Sequence, residues 1–305
     1  MANLKSIKSK ILSYKKTGTV THAMEAVSAV KMRKSQERAL SMRPYARAAL
    51  RMLGSVSGSI DALRHPLTQE RTAGKVGIII ITSDKGLAGS LNSAVMRKTE
   101  QFILEANLSS NELAFFCLGK RGYEFALRRG FEVMHQHTNI SDGIDEIEFH
   151  KITDKVIELQ MSGALREVRV AYTDFRSTFE QQAAMHKILP LSQKIMEYIV
   201  KEIPPDRGKY AEMAEEINGV QSYTIEPEPE AVLAALLPKL VNVAIFHKLL
   251  ESKASEHSAR MVAMKNATDK AREMTQSLTR TFNKVRQAAI TREVSEITSG
   301  IEAMR

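Results

Sequence analysis

The sequence holds no tryptophan, a single cysteine and only 6% aromatic residues, and each shortage removes a class of protein. One cysteine, Cys117, cannot form an internal disulfide, which points to a reducing compartment. Its neighbours Phe115, Phe116 and Leu118 read as a buried strand, so the thiol is expected in a core rather than in a reactive position. There is no run of eighteen apolar residues, so no bilayer-crossing helix is expected. The opening residues Met1 to Lys5 show no apolar signal core, and the first helix reads as structural rather than as a transit peptide.

Helix breakers are missing too. From Lys239 to Ser299, sixty-one residues pass without a Gly or Pro. A continuous helix of that length would reach about 90 Å, far beyond the usual three or four turns. Alternate steps of four and three from Leu250 give Ala254, His257, Met261, Met264, Thr268, Ala271, Thr275, Leu278, Phe282, Val285 and Ala289. Nine of these twelve positions are apolar or Ala, the heptad pattern of a left-handed supercoil. The seam then slips by one residue and resumes at Ile290, Val294, Ile297 and Ile301. Ala, Thr and His fill half of the first twelve positions; small side chains allow close approach but bury little area each, at about 25 cal/mol per Å².

A dimerising coiled coil is one reading of that seam. The other end of the chain offers a partner within the same molecule. Leu4, Ile7, Ile11 and Tyr14 follow a three-four-three spacing, and Val20, Met24, Val27 and Val30 carry a similar stripe. Only Gly18 and Pro44 interrupt residues 1–53; the glycine lowers helix stability by about 1 kcal/mol, and the proline is expected to kink or end the straight part. Two long terminal helices would pair antiparallel if the middle of the chain folds back. The C-terminal helix is longer, so part of it is expected to project alone or into another protein.

The net charge of +9 is unevenly spread. Residues 1–47 hold eleven Lys and Arg against Glu25 and Glu37, an excess equal to that of the whole chain. Such a helix attracts nucleic acid, an anionic membrane or an acidic protein surface, or is simply a solvated face. Aromatic residues are not interleaved with the basic ones, which argues against single-strand nucleic-acid binding.

Between about Ala73 and Arg207 the pattern changes to alternating short elements. Val76–Ile81 is a continuous apolar run suited to a strand buried on both faces. A turn at Ser83–Ser90 and an amphipathic stretch over 91–104 follow. A strand over 113–118, helices over 120–128 and 151–161, and a strand over 167–172 complete a small α/β sheet with crossover helices. Asp206–Gly219 reads as a polar surface segment and Tyr223–Glu226 as a short edge strand, closed by Pro227 and Pro229.

The turn after the first strand puts Gly86 and Gly89 before a helix N-terminus, where anions are favoured. It lacks both the phosphate loop and the dinucleotide fingerprint, so a tight structural turn is the default and no cofactor is expected. His135 and His137 alternate on one short stretch but have no Cys or carboxylate cluster to complete a metal site. His22, His247 and His257 sit at seam or flank positions of helices, where packing is expected. No nucleophile elbow is present, and no catalytic residue is assigned.

Three blocks carry a resemblance over essentially the full length: 1–36, with Thr21-His22-Ala23-Met24-Glu25-Ala26-Val27; Ser83–Asn92; and Ala254–Thr268 continuing to Phe282–Glu293. In these the chain resembles the gamma subunits of F-type ATP synthases. The resemblance implies a mixed α+β and α/β fold: a long antiparallel coiled coil of the terminal helices plus a central Rossmann-like α/β domain. The expected boundaries are 1–58 for the first helix, 73–226 for the α/β part and 228–305 for the last helix. It implies a non-catalytic rotor shaft inside a hexamer of alpha and beta subunits, seated on a ring of c subunits beside an epsilon subunit. Rotation driven by protons would then cycle the beta sites, with no nucleic acid involved. The expected location is peripheral, on the cytoplasmic face of the bacterial plasma membrane. Met24, Arg260, Arg286, Gln287, Thr291 and Glu293 match positions that face beta, and Glu226 matches a carboxylate near the c ring. His22, Ala26, Ser90 and Ile225 depart from the family pattern. A basic coiled-coil protein that binds nucleic acid or membrane remains the alternative from composition alone.

Overall fold

The computed structural model describes residues 4–41, 65–144, 146–192 and 229–304. The chain forms two units: Val30–Ala259, and Met1–Ala29 together with Arg260–Arg305. Two helices belong partly to each, α1 (Leu4–Ser41) and, at the other end of the chain, α5 (Pro229–Ala303).

The Val30–Ala259 unit is built on one five-stranded sheet. Its strands are β1 (Lys75–Ile81), β2 (Leu113–Leu118), β3 (Val133–His137), β4 (Leu165–Phe175) and β5 (Gln181–Leu189), in the spatial order β3-β2-β1-β4-β5. The first four run parallel, and β5 is antiparallel to β4. Helices α2 (Leu91–Glu105), α3 (Lys120–Arg128) and α4 (Glu146–Met161) connect successive parallel strands. A parallel pair requires such crossovers. The central place of β1 explains its unbroken apolar run, since six of its seven residues are buried. Successive side chains alternate between faces. Ile79 and Ile81 share a core with Phe149, Ile152 and Val156 of α4 and with Leu240, Ile245, Phe246 and Leu249 of α5. Val76, Ile78 and Ile80 share the other core with Val95 of α2 and with Phe125 and Ala126 of α3.

Inside this unit α5 is apolar around most of its circumference: Leu240, Val241, Val243, Ala244, Ile245, Phe246, Leu249 and Leu250 are all buried. A helix buried on every side is expected to read this way. Pro238 lies within α5, so the helix begins well before the breaker-free run. Pro229 occupies its first position, where a missing N–H costs nothing. The structure also adds strands β3 and β5 to those expected, and lengthens the helix of 151–161 back to Glu146.

In the other unit the two helices pair antiparallel. The hydroxyls of Thr21 and Thr268 lie 2.7 Å apart, and a Cβ on Gly18 would sit 3.5 Å from that of Ala271. Three residues back on α1 is three forward on α5, which defines the direction. Continued in that register, Ile11 faces Leu278, Ile7 faces Phe282 and Leu4 faces Val285; none of these six is exposed. The heptad seam on α5 is therefore the buried one. The expected α1 stripe needs correcting after Tyr14. Val20 is 59% and Val27 56% exposed, while Thr21 and Ser28 are buried. Thr21, the same size as valine, takes the seam position because its hydroxyl meets that of Thr268 across the pair, and Ser28 satisfies its own hydroxyl on the Met24 carbonyl at 2.7 Å. Val30, in the sheet-containing unit, is likewise exposed.

Candidate partner-binding surface

Beyond its pairing with α1, α5 continues as a helix whose residues from Ile290 to Ile301 are all exposed. Ile290, Val294, Ile297 and Ile301 are between 47% and 64% exposed. At about 100° per residue these four fall on one stripe. Arg286 and Glu293 lie along one side of it, and Gln287 and Thr291 along the other. All four polar residues are exposed, and the Thr291 hydroxyl donates to the Gln287 carbonyl at 3.0 Å. An exposed apolar stripe between two polar margins is the composition of a docking surface. Sequence spacing found the four apolar residues, and the family resemblance alone supplied the four polar ones.

The remaining assigned positions differ in character. Met24 is half-buried on α1. Arg260 is only 8% exposed and offers the least surface of the set among the described residues. Glu226 lies outside the described residues, as do Pro44, the segment Asp206–Gly219, the strand expected at Tyr223–Glu226, and Ile225. The basic residues Lys8, Lys10, Lys15 and Lys16 on α1 are exposed, as befits a face that meets water or an acidic partner. His22 does not pack: its side chain is 74% exposed and reaches Glu25 at 3.5 Å. His247 is buried beside Glu251, 3.6 Å away.

The turn after β1 supplies acceptors to neighbouring segments. Asp84 accepts from the Lys120 amide at 2.9 Å through one carboxylate oxygen and from the Ile140 amide at 3.1 Å through the other. The Thr82 hydroxyl accepts from the Gly122 amide at 2.7 Å. The N-terminus of α3 is thereby capped by protein oxygens, the usual alternative to an external anion. Burial pushes the Cys117 thiol up to about 12, in keeping with a core role. His135 and His137 share one face of edge strand β3; among the described residues no group of three His, Cys, Asp or Glu side chains is placed to hold a metal. His186 is lowered to about 4, first by burial and then by Lys248; it meets the Tyr172 hydroxyl at 3.2 Å.

One cluster was not foreseen from spacing. In the sheet-containing unit, Asp142 lies in the loop between β3 and α4. It meets His257 of α5 at 2.8 Å and Lys31 of α1 at 2.7 Å. Lys31 and His257 fall within two of the resembling blocks, but the three residues are far apart in sequence, so no local pattern brings them together.

Among the described residues no helix is long and apolar enough to cross a membrane. The ATP synthase family profile matches residues 3–304. An ATP synthase gamma chain of Heliobacterium modesticaldum is 37% identical over 305 residues, covering 100% of both chains. That of Chloroherpeton thalassium is 36% identical over 308 residues, covering 100% of this chain and 99% of the other. Among solved structures, a chain of the Euglena gracilis mitochondrial ATP synthase (OSCP/F1/c-ring, rotational state 3) is similar at a TM-score of 0.62 and 16% identity, over 99% of this chain and 94% of that one. A chain of the Tetrahymena thermophila mitochondrial ATP synthase central stalk and c-ring is similar at 0.57 and 23%, over 81% and 99%. At such identities these two speak for the fold alone. The chain belongs to the ATP synthase family, among its gamma chains.

Proposed function

We propose that this gamma chain is the central shaft of a rotary F-type ATP synthase, converting rotation of a membrane ring into conformational cycling of catalytic beta subunits. The observation that carries this reading is the end of α5: a helix that leaves its antiparallel partner and presents an apolar stripe with polar margins to a surrounding partner. A shaft must be stiff, must differ around its circumference and must not lock. The paired helices supply stiffness. The apolar stripe, confined to one side of α5, supplies asymmetry. Exposed charges give attraction that water and salt screen as surfaces slide. Cycling further requires that each orientation favour a different beta conformation, because a ligand with equal affinity for two states shifts neither.

In this reading Arg286, Gln287, Thr291 and Glu293 grip beta subunits near the top of the shaft, and Met24, with the basic residues around it, faces an acidic loop of beta. Arg260 is assigned to the same contact with the least surface to offer. Glu226 faces the c ring, and an epsilon subunit lies beside the α/β part. The chain makes and breaks no bonds itself, and it is held peripherally on the cytoplasmic face of a bacterial membrane through the complex. The test is co-purification followed by coupling. The chain is expected to purify with alpha and beta subunits, and Arg286→Glu or Glu293→Lys is expected to weaken the hexamer or uncouple hydrolysis from proton transfer. A chain recovered alone as a dimer that binds DNA with a steep salt dependence would overturn the reading.

A further inference from the structure

Seven residues between β3 and α4, Thr138 to Ile144, gather four cationic or imidazole side chains from both long helices. Arg38 of α1 donates to the carbonyls of Asp142 at 2.8 Å and Ile144 at 3.2 Å. Lys253 of α5, itself buried, donates to the carbonyl of Ile140 at 3.1 Å. Lys31 of α1 and His257 of α5 each take one oxygen of the Asp142 carboxylate. The Ile140 amide in turn donates to Asp84, in the turn that ends the central strand β1. A continuous polar path thus runs from the middle of the sheet through this loop to α1 and α5 together, all within Val30–Ala259.

The path matters because of what surrounds it. The α1 side chains buried here are small, Ser35 and Ala39, whereas α5 is seated in the core by larger apolar residues such as Leu240, Phe246 and Leu250, with Ala254 and Ser255 following them. Small side chains pack closely but interlock little, and apolar contact has no preferred direction. Sliding or rotation of the helices against the sheet is opposed far better by charge-assisted hydrogen bonds, which are short and directional. Asp142 is the one residue of the loop whose side chain engages both helices. Its partners hold the carboxyl well below the usual carboxylate range, His257 first and then Lys31, despite partial burial. An ionised carboxylate only accepts, so His257 Nε2 carries the proton in this contact.

We propose that Asp142 is a mechanical joint: one carboxylate that fastens α1 through Lys31 and α5 through His257, so that both helices turn with the sheet as a single body. The proposal rests on the shaft reading above and names the positioning residue through which torque passes. It requires a donor at position 257 and a charge at position 142, not merely side chains of suitable size.

The test uses the full-length chain and the complex assembled from it. In Asp142→Asn, amide hydrogen exchange at residues 31–38 and 250–257 is expected to quicken at least tenfold, while strands β1 and β2 exchange at the wild-type rate. In the complex, ATP hydrolysis continues and protons moved per ATP fall to less than half. His257→Gln, which keeps a donor, retains coupling, whereas His257→Leu behaves like Asp142→Asn. Unchanged exchange in Asp142→Asn, unchanged coupling despite faster exchange, or equal coupling in the two His257 variants would each overturn the joint. A wild-type chain that fails to assemble with alpha and beta would overturn the shaft reading, and the torque role with it; a coupled wild type beside an equally coupled Asp142→Asn removes the joint alone.

Discussion

Gly18 of α1 faces Ala271 of α5 so closely that a Cβ built on the glycine would lie 3.5 Å from the alanine methyl. That is ordinary contact, so the site accepts a methyl without displacement. Gly18→Ala is therefore expected to stabilise the helix pair by about 0.5–1 kcal/mol, the usual gain from removing a glycine inside a helix. Gly18→Leu should destabilise it by about 1–3 kcal/mol, because a branched side chain forces the backbones apart. Thermal unfolding followed by the helical circular dichroism signal checks both, and equal effects of the two changes would refute the close approach.

The same pair shows what the sequence could and could not reveal. The α5 seam was legible because Met264, Leu278, Phe282 and Val285 recur at heptad spacing and the structure buries or half-buries each of them. On α1 the apolar period pointed to Val20 and Val27, while the packed face carries Gly18, Thr21 and Ser28. Periodicity detects apolar residues, and a seam whose hydroxyls are satisfied need not be apolar. Strand β5 escaped for a related reason: Gln181, Gln182, His186 and Lys187 interrupt any alternation, and the strand is defined by its ladder with β4. The Asp142 cluster escaped because its contacts join residues more than a hundred positions apart, a property of topology and not of any window. The exposed end of α5, by contrast, could be read directly, since its apolar pattern lies on the surface.

Asp142 carries a pH signature. Its carboxyl is held below its ordinary range by His257 and Lys31, so its contribution to stability is fully present above about pH 4, the unfolded value. It is lost as pH falls from there through the lower folded value. Asp142→Asn should be less stable than wild type by about 1.5–3 kcal/mol at pH 7, the worth of hydrogen bonds to a charged group. The difference should narrow steadily below pH 4. Denaturant titrations at pH 7, 4 and 2.5 would show it, and a gap independent of pH would contradict the assignment.

Asp84 holds two amides with one carboxylate, those of Lys120 and Ile140. Asp84→Ala removes a helix cap and a loop tie at once and is expected to cost about 2 kcal/mol. Asp84→Asn keeps one acceptor oxygen and should cost about half as much. Urea unfolding of the sheet-containing unit separates the two; equal losses would mean that only one of the contacts matters.

Gly119, between β2 and α3, has φ +104°, and a Cβ there would lie 2.0 Å from the Thr82 carbonyl oxygen. No rotamer relieves a clash of Cβ with backbone, and the conformation itself is strained for an L side chain. Gly119→Ala is expected to destabilise by more than about 3 kcal/mol. The contrast with Gly18→Ala, the same chemical change with the opposite sign, is a direct check on both geometries by a single unfolding assay.

The apolar stripe at the end of α5 separates folding from assembly. Ile290, Val294, Ile297 and Ile301 touch little of their own chain, so replacing Ile297 and Ile301 by Lys should leave the stability of the isolated chain within about 0.5 kcal/mol. If alpha and beta subunits enclose the stripe, each isoleucine contributes up to about 1.5–3 kcal/mol when buried, and a buried lysine adds a desolvation penalty to that loss. Association with the hexamer should then weaken by a hundredfold or more, each 1.4 kcal/mol being a factor of ten. Arg286→Glu and Glu293→Lys, on the polar margin, should act more mildly on affinity and more strongly on its salt dependence, because rim charges are screened. Titration of the hexamer with each variant at two ionic strengths distinguishes core from margin. A stripe variant that binds as tightly as wild type would show that the end of α5 turns without touching its housing.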